Sequence, residues 1–165
     1  MSEIPVIAFS AWSGTGKTTF IEHLIPELKA RGLRLAVIKH DAHRFEIDKE
    51  GKDSWRFTNA GADVTVISSD EKTALIEQRG LAVSELMARI HDVDLILAEG
   101  YHQEGFPTIG ISRADTGKGF RIPASACIAL ITDESSIGAD THKIPVFSLT
   151  AYAQVADFIL SYHHL

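Results

Sequence analysis

The sequence contains a single cysteine, Cys127, so no internal disulfide can stabilise the fold, and we expect a buried thiol. It has no apolar stretch long enough to cross a bilayer and no signal region at its N-terminus, which predicts a soluble, cytoplasmic protein without a membrane partner. Basic residues are outnumbered, and the formal net charge of −6 argues against nucleic acid as a partner. Repeats and linkers are absent too. The chain, with 45% hydrophobic residues, is therefore predicted to form one domain over residues 1–165.

The most informative segment is AWSGTGKTT, residues 11–19. An apolar run at residues 4–9 precedes it and predicts a strand, and apolar residues at helical spacing follow it as far as Gly32. A strand, a glycine loop and a helix form the context in which a phosphate-binding loop folds. The segment matches the pattern G-x-x-x-x-G-K-[ST] except at Ala11, which replaces the first glycine. Alanine fits that position if its φ angle is negative.

The residue types of this loop suit a nucleoside triphosphate. Gly14 and Gly16 allow the backbone to turn its N–H groups into one concavity, and the helix beginning near Lys17 adds its N-terminal amides. Lys17 is predicted to bridge the β- and γ-phosphates, and the Thr18 hydroxyl to bind Mg²⁺. The alternative is a glycine turn that only caps a helix. The flanking elements favour nucleotide binding.

Along the rest of the chain, strand patterns alternate with helical ones, which predicts an α/β fold. We expect a phosphate-loop NTPase fold with a mainly parallel sheet, helices on both faces and an antiparallel hairpin at one edge. Further strands are predicted at residues 33–40, 93–100, 107–113, 126–133 and 144–149, the hairpin at 63–78, and helices at about 54–60, 81–92 and 151–163. Asp53 suits the N-cap of the first of these helices.

Ligands of parallel sheets bind at the carboxyl ends of strands, and this rule selects the other candidate residues. Glu99 ends an apolar strand and is predicted to hold Mg²⁺ through water, while the Gly100 amide would meet the γ-phosphate. The alternative for Glu99 is a polar residue that only ends a strand. Arg113 and Asp133 also follow predicted strands.

The sequence contains no N-K-x-D motif for guanine. Asp133, in ITDE, is predicted to accept the guanine N1–H and N2–H groups, although an aspartate that caps a turn is nearly as good an interpretation. Trp12 and Ser13 occupy positions where dimer-activated phosphate-loop proteins carry a lysine. Without an arginine or lysine finger, hydrolysis by the isolated chain should be slow.

The segment KHDAHRFEIDKEGKDSWR, residues 39–56, has a high charge density for a connection. Its place after the second strand suits a switch that GTP orders and GDP releases, with His40 and Asp48 as candidate contacts; a solvated loop is the alternative. His40 and His43 could also bind a metal together with His102.

These segments, with LILAEGYH and the ISR strand, resemble the molybdopterin-guanine dinucleotide biosynthesis adaptor family, MobB, over residues 4–113. The resemblance implies a GTP-binding, homodimeric phosphate-loop protein with weak GTPase activity. It also implies a nucleotidyltransferase partner, which attaches GMP to molybdopterin, and molybdopterin itself as a further candidate ligand.

The resemblance assigns roles to individual residues. The phosphate and Mg²⁺ roles fall to the loop, namely Ser13, Gly14, Thr15, Gly16, Lys17, Thr18 and Thr19. Asp48 and Glu99 match acidic positions of the family, so Thr18, Glu99 and Asp48 are the predicted metal ligands, and Lys17 and Glu99 the catalytic pair. Polar positions of the family are matched by His40, Lys52 and Arg113.

Two other functions use the same loop and remain open on the sequence. A small-molecule kinase normally adds an arginine-rich lid, whereas the arginines here are scattered. A metal-delivery GTPase would use His40, His43 and His102 as its ligands.

Overall fold

A computed structural model describes residues 4–40, 45–135 and 144–165 of the chain. Its contacts divide the chain into two compact units, Met1–His40 with Ile90–Leu165, and Asp41–Arg89. The single domain expected from the sequence stays a prediction. Within the described ranges, no helix is long and apolar enough to cross a membrane.

The regular elements follow the predicted order along the chain. The strands are β1 (Val6–Ser10), β2 (Leu35–Lys39), β3 (Val64–Ser68), β4 (Thr73–Glu77), β5 (Leu95–Glu99), β6 (Thr108–Ile111), β7 (Ala129–Ile131) and β8 (Val146–Phe147). The helices are α1 (Lys17–Ala30), α2 (Asp53–Asn59), α3 (Val83–Met87) and α4 (Tyr152–His163).

The first unit contains a six-stranded sheet in the order β2-β5-β1-β6-β7-β8, and every pair of neighbours is parallel. Strands β1, β5 and β6 are buried along their whole length, which explains their continuous apolar sequences. Because β1 lies inside the sheet, the loop that follows it leaves from the middle of the carboxyl edge. The mainly parallel sheet with helices is confirmed.

Both long helices of this unit cover the same face of the sheet. Helix α1 contributes Phe20 and Leu24, and α4 contributes Val155 and Ile159, to one buried core with alternate residues of the strands. Loop residues meet the opposite face at Gly110, where an added Cβ would stand 3.0 Å from the Cys127 sulfur. Burial raises the pKa of the Cys127 thiol to about 11, as expected for an inert buried cysteine.

In the second unit, the structure differs from the sequence interpretation in three details. The hairpin of β3 and β4 is present, but it forms a two-stranded sheet of its own instead of an edge of the parallel sheet. Lys52, in an extended conformation, is the N-cap of α2, so Asp53 is the first helical residue and not the cap. Helix α3 ends at Met87, well short of the predicted residue 92. Asp92, in the first unit, has a φ of 56°, which no right-handed helix contains.

Candidate nucleotide-binding site

The glycine loop joins the end of β1 to the start of α1, as the sequence predicts. Gly14 and Gly16 have φ angles of 82° and 91°, in the left-handed region that favours glycine. The Thr15 amide donates to the Trp12 carbonyl at 3.3 Å and closes the turn. Ala11 is buried in the core and has no positive φ, so alanine is compatible with the first position of the pattern. The loop therefore has the conformation that a phosphate requires.

Glu99 ends β5 beside this loop, and its side chain reaches the start of α1. The Thr18 hydroxyl donates to the Glu99 carboxylate, with oxygen distances of 3.3 and 3.4 Å. The ammonium groups of Lys17 and Lys39 lie 3.5 and 3.9 Å from the same carboxylate. The register explains the meeting, because Glu99 is aligned with Phe9 of β1 and with Lys39 of β2. The buried Glu99 carboxylate and the Thr18 hydroxyl are therefore adjacent.

This pair of oxygen-bearing side chains has the chemistry that Mg²⁺ prefers, since that ion takes carboxylate and hydroxyl oxygens together with water. Thr18 and Glu99 fit the predicted metal site. Asp48, the third predicted ligand, belongs to the second unit, where its Oδ1 accepts the Lys49 amide at 2.8 Å. The metal role of Asp48 stays a prediction. Any role of Lys52, which matches a polar position of the family, also stays a prediction.

His40 and Gly100 lie next to Glu99 at the ends of β2 and β5. The His40 amide donates to the Glu99 carbonyl at 2.9 Å, and the His40 ring lies 5.6 Å from the ring of Tyr101. Gly100 has a φ of 91°, and a Cβ there would stand 2.9 Å from the His40 carbonyl oxygen. Only glycine therefore fits this crossing, and the predicted contact of the Gly100 amide with the γ-phosphate stays a prediction.

The alternative metal site would use His40, His43 and His102, and of these His43 lies outside the described residues. In the ranges that are described, no group of three or more histidine, cysteine, aspartate or glutamate side chains is arranged to hold a metal. His102 has a lowered pKa because it is partly buried and because Arg121, Lys17 and His40 lie near its ring. Its surroundings are positive, which disfavours a bound cation.

Arg113 follows β6 and returns to the glycine loop. A Cβ built on Gly16 would stand 3.6 Å from Nη2 and 3.8 Å from Cζ of Arg113. The Arg113 Nε is buried and has no hydrogen-bond partner among the described residues. Two buried hydroxyls of the same region, Ser10 Oγ and Thr15 Oγ1, also lack a partner there. Buried polar atoms without partners are rare, and these three, in or beside the glycine loop, fit a polar ligand there.

Asp133 caps a turn, which is the alternative to guanine recognition that the sequence left open. Its Oδ1 accepts the backbone N–H of Ala114 at 2.7 Å, and so stabilises the turn that follows β6. The contact favours the capping role. Recognition of guanine by Asp133 stays a prediction.

The replacement Asp133→Asn can separate these roles, because asparagine keeps a side-chain oxygen for Ala114 but loses the carboxylate. If the carboxylate accepts guanine N–H groups, GTP affinity should fall roughly tenfold while ATP affinity stays constant. Competition titrations with both nucleotides measure this preference, with Asp115→Asn as the control. An unchanged preference in a folded Asp133→Asn protein would leave Asp133 as a cap only.

Sequence reasoning missed one arginine. Arg121 lies in the segment between β6 and β7, and its Cζ stands 5.8 Å from the ring centroid of Trp12. The sequence signal was the glycine-rich, basic stretch TGKGFR at residues 116–121. The sequence interpretation did not single it out, because it treated the arginines as scattered.

A loop whose glycines have left-handed φ angles joins an inner parallel strand to a helix, and an acid ends the adjacent strand. These features define the class of phosphate-loop NTPase folds. The family model described as "Molybdopterin guanine dinucleotide synthesis protein B", MobB, matches residues 6–133. The chain belongs to this family.

Individual relatives agree with this assignment. The "Molybdopterin-guanine dinucleotide biosynthesis adapter protein" of Haemophilus influenzae is 36% identical, over 99% of this chain and 92% of its own. The protein of the same name from Escherichia coli is 42% identical over 69% of each chain. The crystal structure of Bacillus subtilis MobB is 26% identical, with a TM-score of 0.75 over 95% of this chain and 96% of that one.

Proposed function

We propose that the chain is a GTP-binding adaptor that assists the attachment of GMP to molybdopterin in molybdenum cofactor biosynthesis. The observation that carries the proposal is the group formed by Lys17, Thr18 and Glu99 at the glycine loop, in a chain that belongs to the MobB family. The named relatives are biosynthesis adapter proteins, which supports a role beside an enzyme rather than a separate pathway step.

The residues divide the binding task between them. The backbone N–H groups of the loop from Ser13 to Thr19 and of the N-terminus of α1 donate hydrogen bonds to the phosphates, and Lys17 neutralises their charge. Arg113 adds a second positive group from the far side of Gly16. Thr18 and Glu99 would hold Mg²⁺, which would supply charge neutralisation for the phosphates.

Hydrolysis in this proposal is weak, and Lys17 and Glu99 are the residues that take part in it. Both side chains are largely buried and contact each other. We assign the activation of hydrolysis to a partner or a second subunit.

The proposed partner is the nucleotidyltransferase that joins GMP to molybdopterin, with molybdopterin as a further candidate ligand. A cytoplasmic homodimer is part of the same proposal. These statements rest on membership of the family and on the word "adapter" in the names of the relatives.

Reconstitution tests the function. Purified nucleotidyltransferase, molybdopterin loaded with metal, and GTP should form dinucleotide cofactor faster or more completely when the chain is added. The Lys17→Ala variant should not give this stimulation, because it lacks the phosphate contact. Equal yields with parent chain, Lys17→Ala and no addition would contradict the adaptor function.

A further inference from the structure

The connection between β6 and β7 returns to the glycine loop through two arginines, Arg113 at Gly16 and Arg121 at Trp12. It contains two short 3₁₀ turns, Ala114–Thr116 and Ala124–Ala126, and between them Gly117 and Gly119 adopt left-handed φ angles of 62° and 59°. This path brings Arg121 over the indole of Trp12, with 5.8 Å between Cζ and the ring centroid.

Arg121 carries a positive charge beside the glycine loop. Its side chain is exposed, and within residues 4–40, 45–135 and 144–165 no carboxylate lies at ion-pair distance from it. Arg121 and Lys17 both depress the pKa of the same His102 ring, so the two cations share one neighbourhood. The cation–π contact with Trp12 places the Arg121 guanidinium beside the loop.

The neighbourhood carries more positive than negative charge. Lys17 and Lys39 share the Glu99 carboxylate, whereas Arg113 and Arg121 have no acidic partner in the described ranges. Such an excess of cations around a glycine loop is costly without an anion and favours one with several charges. Trp12 belongs to the first half of the loop, two residues before Gly14, so Arg121 lies beside that half of the loop.

We propose that Arg121 is a contact for the terminal phosphate of a nucleoside triphosphate, supplied by the chain itself and kept over Trp12 until that phosphate binds. The inference rests on the proposed function and adds the residue that distinguishes a triphosphate from a diphosphate. An exposed cation–π contact is weaker than a charge-assisted hydrogen bond to phosphate, so the exchange of partners is favourable.

The structure offers a direct reporter for this exchange. The chain has two tryptophans, Trp12 and Trp55, so a Trp55→Phe variant leaves Trp12 as the only one. When Arg121 leaves the indole, the fluorescence of Trp12 should change. The change is expected with Mg²⁺ and a GTP analogue that has a nitrogen bridge between its β- and γ-phosphates, but not with Mg²⁺ and GDP.

Affinities in the same background complete the test. Arg121→Ala should weaken the GTP analogue about tenfold and change GDP affinity by less than about twofold, because only the analogue has the third phosphate. Arg121→Lys should restore part of the loss. Lys118→Ala removes the same charge from the same connection and should alter neither affinity.

Three results would overturn the inference. Equal weakening of GDP and the GTP analogue would mean that Arg121 only anchors its connection to the loop. Unchanged affinities in Arg121→Ala would remove the contact altogether. Failure of the parent chain to bind either nucleotide would overturn the proposed function and this inference with it, whereas the first two results overturn only the inference.

Discussion

Lys17→Ala should weaken GTP binding by at least ~2 kcal/mol, because it removes a direct charge contact to the phosphates. The structure adds a second reason. Lys17 also pairs with Glu99 at 3.5 Å, so alanine would leave that carboxylate less neutralised beside an anionic ligand. Equilibrium titration with GTP and Mg²⁺ measures the loss.

Lys29→Ala is the matched control for this variant. Lys29 lies in the last turn of the same helix, α1, and its removal changes the net charge equally at the opposite end from the phosphates. Its GTP affinity should equal that of the parent. A folded Lys17→Ala protein that binds GTP as tightly as Lys29→Ala would refute the assignment of the loop.

Glu99→Gln should abolish most of the Mg²⁺-dependent hydrolysis, with a fall on the order of a hundredfold, because metal charge stabilisation contributes several kcal/mol. Glutamine keeps the size of the side chain and a bond to Thr18 but lacks the negative charge. Nucleotide binding without metal should change little, since less repulsion of the phosphates offsets the lost positioning of Lys17. Phosphate release at varied Mg²⁺ concentration provides the measurement.

Glu104→Gln serves as its control, because Glu104 is exposed in the turn that follows β5. It should hydrolyse GTP at the parent rate. If Glu99→Gln and Glu104→Gln have the same rate and the same Mg²⁺ dependence, Glu99 is a strand terminus without a metal role.

The glycine loop and Glu99 were predictable because local rules determine them. The left-handed glycines and the lysine at the helix start are encoded in consecutive residues, and the carboxyl ends of adjacent parallel strands meet at one edge. The rule that ligands bind there selected Glu99, and the structure brings it to Thr18. Its catalytic role stays a prediction.

Other features depend on tertiary packing, which a local sequence pattern does not determine. The alternation of the hairpin predicts β3 and β4 but not which sheet they join. The start of α2 differs by one residue, since Lys52 and Asp53 are adjacent and a cap cannot be read from residue type alone. The contact of Arg121 with Trp12 joins residues far apart in the chain, so it required the structure.

The central claim is that the loop at Gly14–Thr18 binds GTP, and calorimetric titration of the purified chain with GTP, in the presence of Mg²⁺, tests it most directly. We expect saturable binding of one GTP per chain, loss of that binding in Lys17→Ala, and weaker binding of ATP. Absence of saturable binding to GTP, or equal affinities of the parent and Lys17→Ala, would contradict it.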